Sequence, residues 1–116
     1  MITSREMAKI ACEALADKKG EDIRAIDISQ ISVLADYFII ANGTSESQVR
    51  ALVDNVEEQL DKHGVEPKQC EGYGLGSWVL LDFGDIIVHV FDREKRLFYD
   101  LERIWSDGRS INIDEL

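Results

Sequence analysis

The chain has 116 residues, 13 of them basic and 23 acidic, for a formal net charge of −10 at pH 7. That is the length of one domain with a core independent of disulfides or metal, and no apolar run approaches the roughly 18 residues that span a bilayer, so no membrane partner is expected. An acidic domain is repelled by phosphate backbones, which disfavours direct nucleic-acid recognition and makes a basic protein surface the natural complement, although solubility alone also accounts for the charge.

The start, Met1 to Met7, has neither the apolar core of a secretory signal nor the Arg- and Ser-rich composition of a transit peptide. Cys12 and Cys70 form no C-x-x-C pair, and His63 and His89 stand at no ligand spacing from either. Neither a metal site nor a cofactor is therefore expected, and two unpaired thiols fit a cytoplasmic protein.

Along the chain, Thr3-Ser-Arg-Glu6 has the spacing of a capping box. Met7, Ile10, Ala11, Ala14 and Leu15 follow at helical intervals, and Asp17-Lys-Lys-Gly20 closes this first predicted helix. Ile23 to Ile28 reads as a strand with Ile26 and Ile28 on one face. Ser29 to Ala35 reads as a turn with a short helix. The nearly continuous apolar run Asp36–Gly43 predicts a central strand covered on both faces.

Ser45 and Gln48, again at capping-box spacing, open a second helix with the stripe Val49, Leu52, Val53, Val56 and Leu60, ended by His63-Gly64. A short strand from Pro67 to about Glu71 leads into the glycine-rich Gly72-Tyr-Gly-Leu-Gly76. Trp78–Phe83 and Ile86–Phe91 then form an antiparallel hairpin about Gly84-Asp85, and Leu97–Trp105 reads as a last helix. The order is α-β-β-α-β-β-β-α. It predicts a single α/β domain over residues 1–105, a mixed sheet packed by helices, with a parallel crossover in the middle. Residues 106–116 lose periodicity and read as a mobile acidic tail.

Several strings resemble catalytic motifs. Gly72-x-Gly74-x-Gly76 precedes a strand, whereas a dinucleotide loop must open a helix, so a strand-to-strand connection fits better. Asp82-Phe83-Gly84 spells the metal-binding triplet of protein kinases, but the companion loops of that fold are missing. Gly43-Thr44-Ser45 lies between a strand and a helix start, where amides can hold an anion. A nucleotide-dependent transferase would need paired metal carboxylates beside it; Asp82 and Asp85 are split across a turn, and helix capping accounts for Thr44 and Ser45. His89 alternates with Val88 and Val90 and has no nucleophile arranged beside it, so a structural histidine is expected. No catalytic residue is assigned.

What remains is the stretch bracketed by the chain's two tryptophans, Trp78 and Trp105, in which aromatics interleave with carboxylates. Aromatics anchor interfaces and charges select partners, which suits docking better than catalysis. Alternation puts Trp78, Leu80 and Asp82 on one strand face and Val79, Leu81 and Phe83 on the other. A buried unpaired carboxylate is costly, so the Asp82 face is expected to be partly open. For each tryptophan, docking and core packing stand equal.

These residues give the chain a family resemblance. Ala35-Asp-Tyr-Phe-Ile-Ile40, Gly43-Thr-Ser45 followed by Gln48 and Val49, Glu71-Gly72, Trp78-Val-Leu-Leu-Asp-Phe-Gly-Asp85, Val88-His-Val-Phe91 and Tyr99-Asp-Leu-Glu-Arg-Ile-Trp105 together resemble the ribosomal silencing factor family, RsfS, also called Iojap. The resemblance runs from about Ile26 to Trp105; Phe83 stands where the family commonly has Tyr.

It implies a nucleotidyltransferase-like fold without the catalytic carboxylates. It also implies binding to the large ribosomal subunit, mainly to large-subunit ribosomal protein fourteen, which blocks subunit joining and represses translation when nutrients are short. A role in large-subunit assembly, as in organellar relatives, is the alternative. A homodimer is possible, since relatives self-associate. Carried over residue by residue, the implied contact surface comprises Trp78, Leu80, Leu81, Asp82, Asp85, Tyr99, Asp100, Glu102 and Trp105.

Overall fold

The computed structural model describes residues 2–30, 32–33, 35–93 and 109–111. Helix α1 (Ser4–Asp17) starts as its sequence dictates: Thr3 accepts the Glu6 amide at 3.1 Å, and its hydroxyl donates to the Glu6 carboxylate at 3.2 Å. Met7, Ala8, Ala11, Cys12, Ala14 and Leu15 are buried, whereas Ile10 is only partly so. The left-handed residue at the end of α1 is Lys19, with φ 63°, and not Gly20. The Gly20 amide donates back to the Leu15 carbonyl at 2.8 Å, closing the last turn.

Strand β1 (Glu21–Asp27) carries an irregularity between Glu21 and Arg24 and pairs antiparallel with β2 (Tyr37–Gly43). The 29–35 connection holds a turn in which Ser32 N–H donates to the Ile28 carbonyl at 2.9 Å; the short helix expected there is not formed among the described residues. Every residue of β2 is buried. Tyr37, Ile39 and Ala41 face the helices, while Phe38 and Ile40 join Ile26, Ile28, Ala35 and Phe91 in a second apolar cluster on the opposite face.

Helix α2 (Glu46–Asp61) is capped by Ser45, whose hydroxyl oxygen accepts the Gln48 amide at 3.1 Å. The predicted stripe Val49, Leu52, Val53, Val56 and Leu60 is fully buried. Each such side chain contributes roughly 1.5–3 kcal/mol through lost water contact. Asn55 locks α2 to α1 by donating to the Ala14 carbonyl at 2.8 Å.

Among the described residues, strands β3 (Gln69–Glu71), β4 (Trp78–Asp82), β5 (Ile86–Asp92) and β6 (Arg109–Ile111) complete a six-stranded sheet in the order β3-β4-β5-β2-β1-β6. Only β2 and β5 pair in parallel among these neighbours. The expected parallel crossover therefore exists, but it lands two strands later than the chain order suggests. β3 follows α2, yet sits at the far edge, and β5 takes the place beside β2.

The expectation of a mobile tail is corrected in part. Within residues 106–116, Arg109–Ile111 add to the sheet edge, with Ala25 opposite Ile111 and Asp27 opposite Arg109. The helix expected at Leu97–Trp105 lies outside the described residues. Among those described, no helix is long and apolar enough to cross a membrane.

Candidate docking surface

The hairpin is built by its turn. Phe83 N–H donates to the Ile86 carbonyl at 3.0 Å, Gly84 sits at φ 90°, and one Asp82 carboxylate oxygen accepts the Gly84 amide at 2.8 Å. Glycine carries the left-handed turn and the aspartate holds its amide, so a two-residue loop forms in the expected place. The Asp85 carbonyl accepts the Asp36 amide at 2.8 Å, fastening the turn to the start of β2. At the other end Asp92 N–H donates to Ser77 at 2.9 Å.

Alternation along β4 is clean. Val79, Leu81 and Phe83 enter the core under the helices, while Trp78, Leu80 and Asp82 remain half-buried on the opposite face. Leu81 was among the expected contact residues and is corrected: it is fully buried against the helix side and supports the fold. Leu80 stands between His89 on β5 and exposed Glu71 on β3, with Asp82 two residues away on its own face. An apolar side chain on a rigid strand is thus edged by two carboxylates. Asp85 is exposed at the tip. Tyr99, Asp100, Glu102 and Trp105 lie outside the described residues.

Trp78 is held from below. Its indole N–H donates to His89 Nδ1 at 3.0 Å, and its ring stacks on Phe91 at 5.2 Å and 22°. His89 in turn lies 4.4 Å from the Phe38 ring. Burial pushes the His89 imidazole down to about 4, so it is neutral at pH 7 and able to accept. This is the structural histidine anticipated from its alternation, and its partner is the tryptophan.

Two further elements at this edge were not anticipated. Glu71 belongs to a family string but was not placed on the surface, because only the β3–β4 register brings it opposite Leu80. The glycine-rich connection is lashed to α2. Arg50 donates to the carbonyls of Tyr73 and Gly74 at 3.1 and 2.8 Å, and the Tyr73 hydroxyl donates to Asp54 at 3.0 Å. Arg50 and Asp54, one turn apart on the open side of α2, were the available signal.

The Gly43-Thr44-Ser45 turn is elsewhere. It borders a cleft of about 270 Å³ lined by Thr44, Ser45, Glu46, Asp92 and Arg93. Gln48 occupies the turn, accepting from the Thr44 amide and hydroxyl at 2.5 and 2.7 Å. Arg93 is engaged by Glu21 at 3.0 and 2.6 Å, and that hydrogen-bonded guanidinium holds the Glu21 carboxyl below its ordinary range. In the parallel register Gly43 meets Asp92 while Tyr37 meets Ile86. Asp85 therefore lies a strand length away, roughly 20 Å at about 3.3 Å per residue. A transferase site combining Gly43-Thr44-Ser45 with Asp82 and Asp85 is not assembled.

A wider groove of about 550 Å³ runs along the outer side of α2, lined by Asp54, Glu57, Glu58, Asp61, Val65, Glu66 and Pro67. Burial, and then neighbouring Asp54, raise the Glu57 carboxyl. Among the described residues no group of three or more His, Cys, Asp or Glu side chains could hold a metal ion. These carboxylates add to a negative field around the hairpin edge.

The whole chain, residues 1–116, matches the family model described as "Ribosomal silencing factor during starvation". The ribosomal silencing factor RsfS of Bacillus subtilis is 41% identical over 113 residues, covering 97% of this chain and 96% of that protein. A crystal structure from Chromobacterium violaceum superimposes with a TM-score of 0.88 at 41% identity, covering 90% of this chain and 88% of the other. One from Bacillus halodurans gives 0.82 at 37% identity, covering 92% and 97%. The solved structures agree with the expected mixed α/β fold, the family model and the relative agree with the resemblance read from the sequence, and the chain belongs to the ribosomal silencing factor family, RsfS.

Proposed function

We propose that this silencing factor binds the large ribosomal subunit, mainly through large-subunit ribosomal protein fourteen, and blocks subunit joining by occupying space that the small subunit needs. The observation that carries this reading is Leu80, half-buried on a rigid strand beside Trp78 and edged by Asp82 and Glu71. Such a patch offers an apolar anchor and a charge complement to a basic protein surface. Asp85 extends it, and the family resemblance adds Tyr99, Asp100, Glu102 and Trp105 to the proposed contact residues. The mechanism is steric and needs no cofactor, and the site of action is the cytoplasm under nutrient limitation.

The test is sucrose-gradient sedimentation with purified subunits. The protein should travel with the large subunit and deplete joined ribosomes in proportion to its concentration. Migration only at the top of the gradient, with subunit joining unaffected, would end the proposal.

A further inference from the structure

We propose that His89 is the positioning residue of the docking surface: by accepting the Trp78 indole N–H, it selects which edge of that ring faces a partner. The inference rests on the reading that Trp78 contributes to large-subunit binding. In the β4–β5 register Trp78 is opposite Phe91, and Leu80 is opposite His89. The indole therefore reaches diagonally across the hairpin to Nδ1, 3.0 Å from its nitrogen.

Stacking cannot do this alone. The Trp78 and Phe91 rings lie 5.2 Å apart at 22°, which fixes the plane of the indole. Two rings that stack do so almost equally well after one is flipped about its χ2 bond. The two flips expose different edges of the indole. Only the flip that brings the N–H over His89 gives the buried Nδ1 acceptor its donor; the other flip turns the N–H to the open edge and leaves that lone pair unmatched inside an apolar cluster.

His89 is itself immobilised, 4.4 Å from Phe38 and 6.2 Å from Phe91, and it is 5% exposed. A phenylalanine would fill that volume without the cost of desolvating an imidazole. Nδ1 accepts only in the tautomer protonated at Nε2, and the lowered pKa keeps that lone pair available at neutral pH.

Two substitutions in the full chain separate acceptor from volume. His89→Phe keeps the ring and removes the acceptor. His89→Asn keeps an acceptor near the Nδ1 position and loses the ring. The Trp78 indole ¹⁵N–¹H resonance, assigned by comparison with Trp105→Phe, reports the hydrogen bond; binding to purified large subunits is titrated at fixed salt.

In His89→Phe the indole proton should lose its downfield shift and exchange freely, and affinity should fall about five- to tenfold, as for one lost hydrogen bond. His89→Asn should keep the proton protected and bind within about twofold of the parent, despite melting at lower temperature. Binding and stability would then follow different variants, which a merely structural histidine does not produce.

The proposal is overturned if His89→Phe loses the hydrogen bond and binds normally, or if His89→Asn keeps it and binds as weakly as His89→Phe. Should His89→Phe not fold, replacing Trp78 by its benzothienyl analogue removes the N–H at constant shape, and unchanged affinity there overturns it equally. Failure of the underlying reading is visible separately: if Trp78→Ala binds like the parent, the surface is wrong and this inference falls with it. If Trp78→Ala binds weakly while His89→Phe is unaffected, only the positioning role is lost.

Discussion

Gly72 and Trp78 meet backbone to backbone: a Cβ at residue 72 would lie 2.0 Å from the Trp78 carbonyl oxygen. The glycine also sits at φ 83°, a conformation costly to any side chain. It closes the loop that delivers β4 to the sheet. Gly72→Ala should therefore destabilise the protein by at least about 3 kcal/mol in denaturant unfolding, since left-handed strain and a steric collision add. A loss below about 1 kcal/mol would show that the loop relaxes at no cost.

Leu80 and Leu81 are adjacent and should behave oppositely. Leu81 is fully buried, so Leu81→Ala should cost roughly 2–5 kcal/mol of stability and leave binding intact at temperatures where it folds. Leu80 is half-buried on the open face, so Leu80→Ala should leave the fold nearly unchanged and weaken large-subunit binding. Thermal melts and gradient sedimentation of both variants check the pair, and equal behaviour would remove the distinction between the two faces.

Asp82 has two roles that one substitution divides. Its Oδ1 accepts the Gly84 amide, a role that the side-chain carbonyl oxygen introduced by Asp82→Asn can retain. The variant should keep its melting temperature and lose affinity for the large subunit, with a shallower dependence on salt because one attractive charge is gone. An unchanged salt slope would place Asp82 outside the interface.

Acid should weaken the fold through His89. Its pKa falls from 6.5 to about 4 on burial, so the unfolded chain binds a proton that the folded chain refuses. The neutral, buried state is fully favoured above pH 6.5, and stability is lost as pH falls from 6.5 toward 4. The gap corresponds to roughly 3 kcal/mol. Carboxylates also titrate there, so the relevant quantity is the difference between the parent and His89→Phe in denaturant midpoints at pH 7 and pH 4.5. Parallel curves would contradict the assignment.

Ser45→Ala should cost about 1 kcal/mol through loss of the α2 cap. Calorimetric titration of the parent with a nucleoside triphosphate and magnesium should give no binding heat attributable to this turn. Gln48 already fills it, and Asp82 and Asp85 lie at the other end of β5. Saturable heat abolished by Ser45→Ala would restore a nucleotide site.

The elements legible in the sequence were those set by local chemistry. Thr3 and Ser45 announced the starts of α1 and α2 because a cap acts within three residues. The stripes of α1 and α2 and the faces of β4 followed from repeats of 3.6 and 2, which neighbouring residues alone encode. That is why Trp78, Leu80 and Asp82 were placed on one face, and why His89 was read as structural. The family strings carried the rest of the functional reading.

Tertiary structure decided what depends on residues far apart in the chain. Chain order suggested that the crossover ends at β3, but strand order puts β5 beside β2, and only that places Gly43 next to Asp92 and a strand length from Asp85. Register set Glu71 against Leu80 and joined Arg109–Ile111 to β1, where aperiodic residues had suggested a tail. The same register gave His89 its partner in Trp78. Local periodicity says which way a side chain points. Which strand it meets is settled by closing long loops around one shared core, and no short window of sequence contains that balance.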